Sequence, residues 1–363
     1  MEFSSPIASL VTRWDALYAG FPDAAPGLPL LQVETSSASG GTLRTTVDGD
    51  VLLIDPDWSS HELEITRYLN HRKLDAEPNL VHLHAASVAR GGRAVVLAGR
   101  SGDGKSTLTA KLMQAGWDYV TDEQVTLDEF DRNVIPYPRP LTLRQGVWHL
   151  FEGIGGERRA DDYHRVETTL AELGATAAQH PVEPVLLLAP QYRALEGDTL
   201  LEFRTRAEVV EFLVSCCHDV ERIGHRTCAA LVDLVSRCAA RRLHFSNVDI
   251  AVEEVNNAFA DTVHHQPVPY RVLPEPDTTP TGHGWVLAPG SRAWLFADGS
   301  GVAYSVPTQR FLVLDAVGAA VWEILSTPTP ASLLLADSPD APTALAVERW
   351  LETLVSLGLV RRV

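Results

Sequence analysis

Eight consecutive residues carry the most specific chemistry in this chain. They fit the pattern G-x-x-x-x-G-K-[ST], and in order they are Gly99, Arg100, Ser101, Gly102, Asp103, Gly104, Lys105 and Ser106. In this pattern the backbone N–H groups turn toward phosphate oxygens, the lysine reaches the β- and γ-phosphates, and the serine hydroxyl can bind Mg²⁺. The spacing predicts a nucleotide-binding loop made of these residues and Thr107. The alternative, a glycine-rich turn with no ligand, leaves the position of Lys105 beside a helix N-terminus unexplained.

The flanking residues predict the elements that position this loop. Residues 93–98 form an apolar run typical of a buried strand, and residues 107–115 have the pattern of a helix that Gly116 closes. The phosphates would then lie at a helix N-terminus, where the helix dipole favours anions.

Two acids, Asp122 and Glu123, end the strand predicted at 119–121, directly after the loop helix. If that strand pairs in parallel beside the strand that enters the loop, its C-terminal end lies near the phosphates. One carboxylate could then hold Mg²⁺, and the other could accept a proton from an attacking hydroxyl. An exposed acidic turn is the alternative. His84 ends another predicted strand, at 81–84; it is either structural or a group that titrates near neutral pH.

The order and spacing of His84, the loop and the acid pair resemble the catalytic core of the HPr kinase/phosphorylase family over residues 81–127. The resemblance implies an α/β P-loop kinase core that uses ATP and Mg²⁺. It implies that Asp122 and His84 handle the proton of the acceptor hydroxyl and that Glu123, with Ser106, binds the metal. Lys105 would act on the phosphates. The family has two aspartates where this chain has Asp-Glu, which moves the second carboxylate outward.

Two further residues have open interpretations. Glu152 stands at a distance loosely comparable to that of another metal-binding glutamate in the family, but a glycine-rich loop is the preferred interpretation. Arg139, in a proline-rich stretch, either adds a cation near the phosphates or lies in an exposed polyproline turn.

The pattern along the chain predicts four segments. Residues 1–78 form a small β-rich N-terminal lobe that begins with an amphipathic helix, and 79–262 form the α/β catalytic domain. Residues 263–282 are a proline-rich linker. Residues 283–363 change to short strands followed by helices, an α+β module of winged-helix type.

The C-terminal segment resembles the PqqD family, small modules that bind the leader segments of ribosomally made, modified peptides. The resemblance covers the strand pair, the stretch 306–325 and the helical stretch 347–360. It implies that a leader adds as a strand to an exposed sheet edge and packs on the last helix. The candidate peptide-binding residues are Val302, Tyr304, Val306, Val347, Trp350, Leu351 and Leu354. A generic winged helix is the alternative, but Arg349 is the only basic residue in the last helix, which disfavours DNA binding.

Composition limits the partners. A formal net charge of −17 argues against nucleic acid. No apolar run is long enough for a membrane span and no signal peptide is evident, so we expect a cytoplasmic protein without a membrane partner. Cys216, Cys217, Cys228 and Cys238 have the wrong spacing for zinc, and buried thiols are the preferred interpretation. A homo-oligomer stays open.

Together these features predict a kinase that phosphorylates a serine or threonine hydroxyl of a ribosomal precursor peptide, with the leader held by the C-terminal module. Two alternatives remain: a kinase of a small molecule or carrier protein, and a nucleotide-gated peptide chaperone that hydrolyses ATP without transferring phosphate.

Overall fold

The structure, a computed structural model, consists of two compact units of mixed α/β type. The residues it describes are 2–21, 31–154, 165–194, 197–218, 224–273, 283–334 and 341–363. The first unit holds residues 1–201 and 242–261, and the second holds residues 202–241 and 262–363. Both contain helices and strands, which confirms the predicted α/β class at this level. Within the described ranges, no helix has the length and apolar character needed to cross a membrane.

The N-terminal part of the first unit is a four-stranded sheet with two helices. Strand β1 pairs in parallel with β2, and β2, β3 and β4 form an antiparallel meander. Its elements are β1 (Glu2–Ser4), α1 (Ala8–Leu17), β2 (Gln32–Ser37), β3 (Leu43–Val47), β4 (Asp50–Asp55) and α2 (Trp58–Ala76). The helices close one core, in which Trp14 and Leu17 of α1 meet Ile65 of α2. The long helix α2 was not predicted, because charged and polar residues occupy most of its positions.

The rest of the first unit is built around a six-stranded sheet of order β14-β15-β13-β7-β6-β8. Smaller sheets of order β10-β9-β5 and β11-β12 accompany it. The elements are β5 (Val81–Leu83), β6 (Ala85–Arg90), β7 (Arg93–Ala98), α3 (Lys105–Gln114), β8 (Asp118–Thr121), β9 (Val125–Leu127), β10 (Val134–Ile135), β11 (Leu141–Arg144), β12 (Arg165–Thr168), β13 (Glu183–Tyr192), β14 (Thr199–Glu202), α4 (Arg206–Val214), α5 (His225–Arg237), β15 (Ala239–Phe245) and α6 (Val248–Asp261). Of these, α4 and α5 belong to the second unit.

The strand that enters the 99–106 loop, β7, is buried along nearly its whole length, as its apolar run predicts. It pairs in parallel with β13 and antiparallel with β6. Gly91 and Gly92, both at positive φ, make the tight turn between β6 and β7. The predicted pairing of β8 beside β7 is wrong, because β6 lies between them. Since both strands are antiparallel to β6, β8 still runs parallel to β7, and its C-terminal end lies at the same edge of the sheet.

The second unit is a four-stranded antiparallel sheet of order β16-β18-β19-β20, with a two-stranded sheet of β17 and β21. Its further elements are β16 (Tyr270–Val272), β17 (Trp285–Leu287), β18 (Ser291–Phe296), β19 (Gly301–Ser305), β20 (Arg310–Leu314), α7 (Ala316–Ile324), α8 (Ala331–Leu334), α9 (Ala341–Ser356) and β21 (Val360–Arg362). Leu295, Leu314 and Trp322 share one core with Leu351 and Leu354 of α9.

Helices α4 and α5 pack on the sheet of the C-terminal module, whereas the sequence places them in the segment 79–262. They contact each other and the strands β18, β19 and β20. The N-terminus of α4 is capped from the β18–β19 turn: the Asp298 carboxylate accepts from Arg206 N at 2.7 Å, and Ser300 Oγ accepts from Ala207 N at 3.1 Å. These bonds satisfy backbone groups that a helix end otherwise leaves open.

The predicted linker 263–282 is also partly ordered into the fold. Residues 270–272 form β16, which pairs with β18, while 274–282 lie outside the described residues. All four cysteines are buried and none forms a disulfide.

Candidate active site

The 99–106 loop joins β7 to α3, as its sequence predicts. Gly104 caps the helix N-terminus at φ +90°, a conformation that side chains rarely adopt. A Cβ at Gly104 would lie 2.7 Å from Cζ of Phe245, so this position also lacks the space for a side chain. Helix α3 ends where predicted, with Gly116 at φ +84° after its last turn.

The loop is held in shape by bonds to its own atoms and to neighbouring strands. The Asp103 carboxylate accepts from Arg100 N at 2.6 Å, and the carbonyl of Asp103 accepts from Tyr192 N at 3.1 Å. Arg144, at the end of β11, donates from Nη2 to Ser101 Oγ at 3.0 Å. The conformation of the loop is therefore fixed from both sides.

Lys105 is buried, with 5% of its surface exposed. Its ammonium donates to the carbonyls of Gly99 at 2.8 Å and Arg100 at 3.0 Å. The cation thus lies inside the loop at the start of α3, where an arriving phosphate would meet both the ammonium and the helix N-terminus.

Asp122 lies against the first turn of α3. Ser106 Oγ donates to Asp122 Oδ2 at 3.0 Å, while Asp122 Oδ1 is buried with no hydrogen-bond partner among the described residues. The side chain is fully buried, and burial is the main reason that the pKa of Asp122 rises to about 6; Glu123 raises it further, while Arg139, Ser106 and Lys105 act against the rise. The carboxylate that was predicted to accept a proton therefore has a pKa suited to that role near neutral pH.

Glu123 follows in a strained backbone conformation, with φ of +68°. Its side chain is 45% exposed, and Arg139 Nη1 donates to its Oε2 at 2.9 Å. The turn sends the two neighbouring acids into different surroundings, one buried beside Ser106 and one reaching toward solvent and Arg139.

Arg139 is a buried cation that joins several acids, and both interpretations given to it from the sequence are wrong. Only 2% of the side chain is exposed, so it is not an exposed polyproline turn. It donates to the Asp122 carbonyl at 3.3 Å and to Thr142 Oγ1 at 3.0 Å, and it lies 3.7 Å from Glu167. With its charge paired to Glu123 and Glu167, it is not a cation that faces the loop. Burial lowers the pKa of Arg139, but the surrounding carboxylates outweigh burial and leave it above its ordinary value.

Glu167, on β12, completes this network from the far side. It is buried and accepts from Thr142 Oγ1 at 3.0 Å. Burial raises the pKa of Glu167 to about 8, although Arg139 and Thr142 act against the rise. Neither Glu167 nor Arg144 was predicted as a site residue, because both lie on the β11–β12 hairpin and no motif marks that hairpin in the sequence.

His84 lies at the junction of two sheets, and its backbone position is set by register. The preceding residue, Leu83, pairs with Val125, and the following residue, Ala85, pairs with Ala98. His84 therefore stands one step from Gly99 in one direction and one step from the acid pair in the other. The sheet pairing brings together the three groups that the sequence separates by up to 39 positions.

Glu152 is exposed, and the glycine-rich stretch predicted around it continues into residues 155–156, outside the described part of the chain. Among the described residues, no group of three or more His, Cys, Asp or Glu side chains forms a metal cluster. The oxygen donors that meet at the loop, Ser106 Oγ and the unpartnered Asp122 Oδ1, are of the type that Mg²⁺ prefers, and Glu123 adds an exposed carboxylate. These residues fit a magnesium nucleotide that supplies further oxygen ligands from its phosphates.

The peptide-binding candidates of the C-terminal module fall into two groups. Val302, Tyr304, Leu351 and Leu354 are core residues, with at most 2% of their surface exposed. Strand β19, which carries the first two, pairs on both sides, so the prediction that it offers a free edge is wrong. The remaining candidates, Val306, Val347 and Trp350, are exposed or half-buried.

The edge of this sheet is instead β20, which among the described residues pairs only with β19. The sequence had assigned its last residues, 312–314, to a helix. The alternation of Phe311 and Val313 with Leu312 fits a half-buried edge strand, and the helix begins only after Asp315, whose carboxylate accepts from Gly318 N at 2.8 Å.

Comparison with known proteins gives no relative: the chain matches no protein-family model and no curated protein.

Proposed function

We propose that this protein is an ATP- and Mg²⁺-dependent kinase with an HPr kinase-like core, acting on a serine or threonine hydroxyl of a ribosomally made precursor peptide. The observation that carries the proposal is the contact of Ser106 with Asp122 at the start of α3. It joins a loop with phosphate-binding chemistry to a buried carboxylate whose pKa of about 6 suits proton transfer.

In this proposal the loop amides and Lys105 bind the phosphates of ATP. Ser106 and Glu123 would hold Mg²⁺, which neutralises charge that develops on the transferred phosphoryl group. Asp122 takes the proton of the acceptor hydroxyl, and His84, placed between the loop and the acid pair by strand register, orients it.

The fully buried position of Asp122, hydrogen-bonded to Ser106, also fits the reverse division of labour between the two acids. A separate variant of each acid distinguishes them. If Asp122 is the base, Asp122→Asn lowers turnover at saturating Mg²⁺, whereas Glu123→Gln raises the Mg²⁺ concentration needed for half-maximal rate. The opposite pattern would exchange the two roles.

The C-terminal unit supports the choice of a peptide substrate. Strand β20 is five residues long, apolar and paired on one side only, which makes it the better edge for an added strand than the three-residue β16. Val347 and Trp350 of α9, with Leu312 of β20, are half-buried residues packed on one core. Several main-chain hydrogen bonds of about 0.5–1.5 kcal/mol each, with apolar contacts, would give about micromolar leader binding.

Leader binding at an edge depends on the backbone of the peptide. We expect leader peptides with N-methyl groups on alternate residues to lose binding to the full chain in fluorescence polarisation, because methylation removes N–H donors without changing side chains. Peptides methylated at the intervening positions serve as matched controls. Equal binding of both methylated series and the unmodified leader would exclude strand addition. Deletion of 283–363 is a poor test, because it removes Asp298 and Ser300, which cap α4.

The kinase proposal itself is tested by mass spectrometry of a precursor peptide, encoded beside the gene, after incubation with the full chain and Mg-ATP. We expect one added phosphoryl group on a serine or threonine outside the leader. ADP formation without a phosphopeptide would favour a peptide chaperone ATPase. Phosphorylation of a small molecule or carrier protein, with the peptide unchanged, would favour the other alternative.

A further inference from the structure

We propose that Tyr192 is the platform on which the base of the bound nucleotide stacks. The inference rests on the proposed nucleotide site and adds to it a residue that reads the base rather than the phosphates. Three observations carry it: the attachment of Tyr192 to the loop, the packing of its ring on Phe245, and its exposure.

Strand β13 brings Tyr192 to the loop. It pairs in parallel with β7 up to Leu188 opposite Leu97, so the two strands reach the loop side by side. Beyond that pair, Tyr192 N donates to the Asp103 carbonyl at 3.1 Å, which fixes the tyrosine to the loop itself. Its Cβ lies 3.5 Å from the point where a Cβ of Gly104 would stand.

Phe245 supports the tyrosine ring from below. Its own ring is buried, with 2% exposed, and it fills the space next to Gly104. The Phe245 and Tyr192 rings meet at 5.8 Å and 65°, an edge-on arrangement, and Arg193 N donates to the Phe245 carbonyl at 2.8 Å. These contacts hold the backbone of β13 at Tyr192 and one side of its ring.

The Tyr192 side chain is nevertheless 51% exposed, which is unusual for an aromatic ring held so firmly beside a loop. An aromatic ring that is fixed on one side and open on the other offers a surface for a planar group. A nucleotide whose phosphates lie on the loop has such a group in its base, and stacking on tyrosine accepts any base because every base has a π-face.

The test compares ligands with and without a base. Binding of Mg-ATP, Mg-GTP and Mg-tripolyphosphate to the full chain is measured by calorimetry for the wild type, Tyr192→Phe, Tyr192→Leu and Tyr192→Ala. We expect Tyr192→Ala and Tyr192→Leu to weaken ATP and GTP binding roughly tenfold. Tripolyphosphate, which contacts only the loop, should bind all variants equally, and Tyr192→Phe should behave like the wild type. Phe130→Ala, at an aromatic residue that is 88% exposed, is the matched control and should change nothing.

The possible failures are distinguishable. If Tyr192→Ala weakened tripolyphosphate as much as ATP, the tyrosine would only support the loop, and the inference would be overturned. Unchanged ATP binding in Tyr192→Ala and Tyr192→Leu would overturn it too, while leaving the proposed function intact. A wild-type protein that bound neither ATP nor tripolyphosphate would overturn the proposed function together with this inference.

Discussion

Ser106 Oγ and Asp122 Oδ2 lie 3.0 Å apart, joining the first turn of α3 to the end of β8. The serine comes from the phosphate-loop motif and the aspartate from a strand end sixteen residues later. The contact requires that β8 run parallel to β7, and it exists although β6 separates the two strands. It places a buried carboxylate at the point where the γ-phosphate of a nucleotide is expected.

Asp122→Asn is expected to stabilise the protein at neutral pH while lowering its activity. Because the folded-state pKa of about 6 exceeds the ordinary 3.8, the stabilising contribution of Asp122 is complete below about pH 3.8 and is lost as pH rises through about 6. At pH 7.5 the variant should be more stable by up to about 3 kcal/mol. Its advantage should disappear near pH 4. Urea unfolding at both pH values measures this, and an equal difference at the two would contradict the buried, titrating carboxylate.

The sequence was sufficient for the loop and its flanking elements because their signals are local. Glycine spacing, an apolar run and a closing glycine are read over some twenty positions, and β7, α3 and Gly116 follow them. The pairing of β8 with β6 is a long-range choice that no local pattern specifies. The same is true of β20, whose apolar residues suit a strand edge as well as a helix face.

Arg139 shows a second limit of prediction from sequence. A proline-rich neighbourhood suggested an exposed turn, but the guanidinium is buried against Glu123 and Glu167. Burial of a charge depends on partners that lie on other strands, and in the sequence these are 16 and 28 residues away. The composition of the neighbouring residues carries no information on them.

Lys105→Met should abolish nucleotide binding without unfolding the protein. The ammonium is the cation held inside the loop by the carbonyls of Gly99 and Arg100. Its loss should weaken Mg-ATP binding roughly 100-fold. Lys111→Met removes a lysine of the same helix whose ammonium lies 3.7 Å from Asp249, and it serves as the control. Comparable losses in the two variants, measured by calorimetry, would show that helix charge rather than loop chemistry binds the nucleotide.

Gly104→Ala should be far more damaging than Gly102→Ala. Both glycines have positive φ, +90° and +96°, so each substitution strains the backbone by about 1–2 kcal/mol. Only at Gly104 would the new methyl also meet the Phe245 ring, at 2.7 Å, since nothing lies within 4 Å at Gly102. Chemical denaturation should therefore show a clearly larger loss for Gly104→Ala, and equal losses would mean that Phe245 does not pack on the loop.

Arg139→Met should destabilise the protein by roughly 3–5 kcal/mol, because it leaves buried carboxylate without its cation. Adding Glu167→Gln to this variant should recover part of the loss, since the buried acid is then neutral. Arg67→Met, at an arginine that is 65% exposed and paired with Glu64, should change stability by less than about 0.5 kcal/mol. Urea unfolding compares the variants. Equal stability of Arg139→Met and Arg67→Met would rule out the buried network.

The most direct test of the kinase proposal follows the γ-phosphate of labelled ATP in the presence of Mg²⁺ and the full precursor peptide. With the wild-type chain we expect the label on the peptide, at a rate that falls as pH drops below about 6, where Asp122 becomes protonated. With Asp122→Asn, we expect ATP to bind but the label to stay on the nucleotide. Label released as free phosphate by the wild type, or transferred to the peptide at an unchanged rate by Asp122→Asn, would contradict the proposed role of this site.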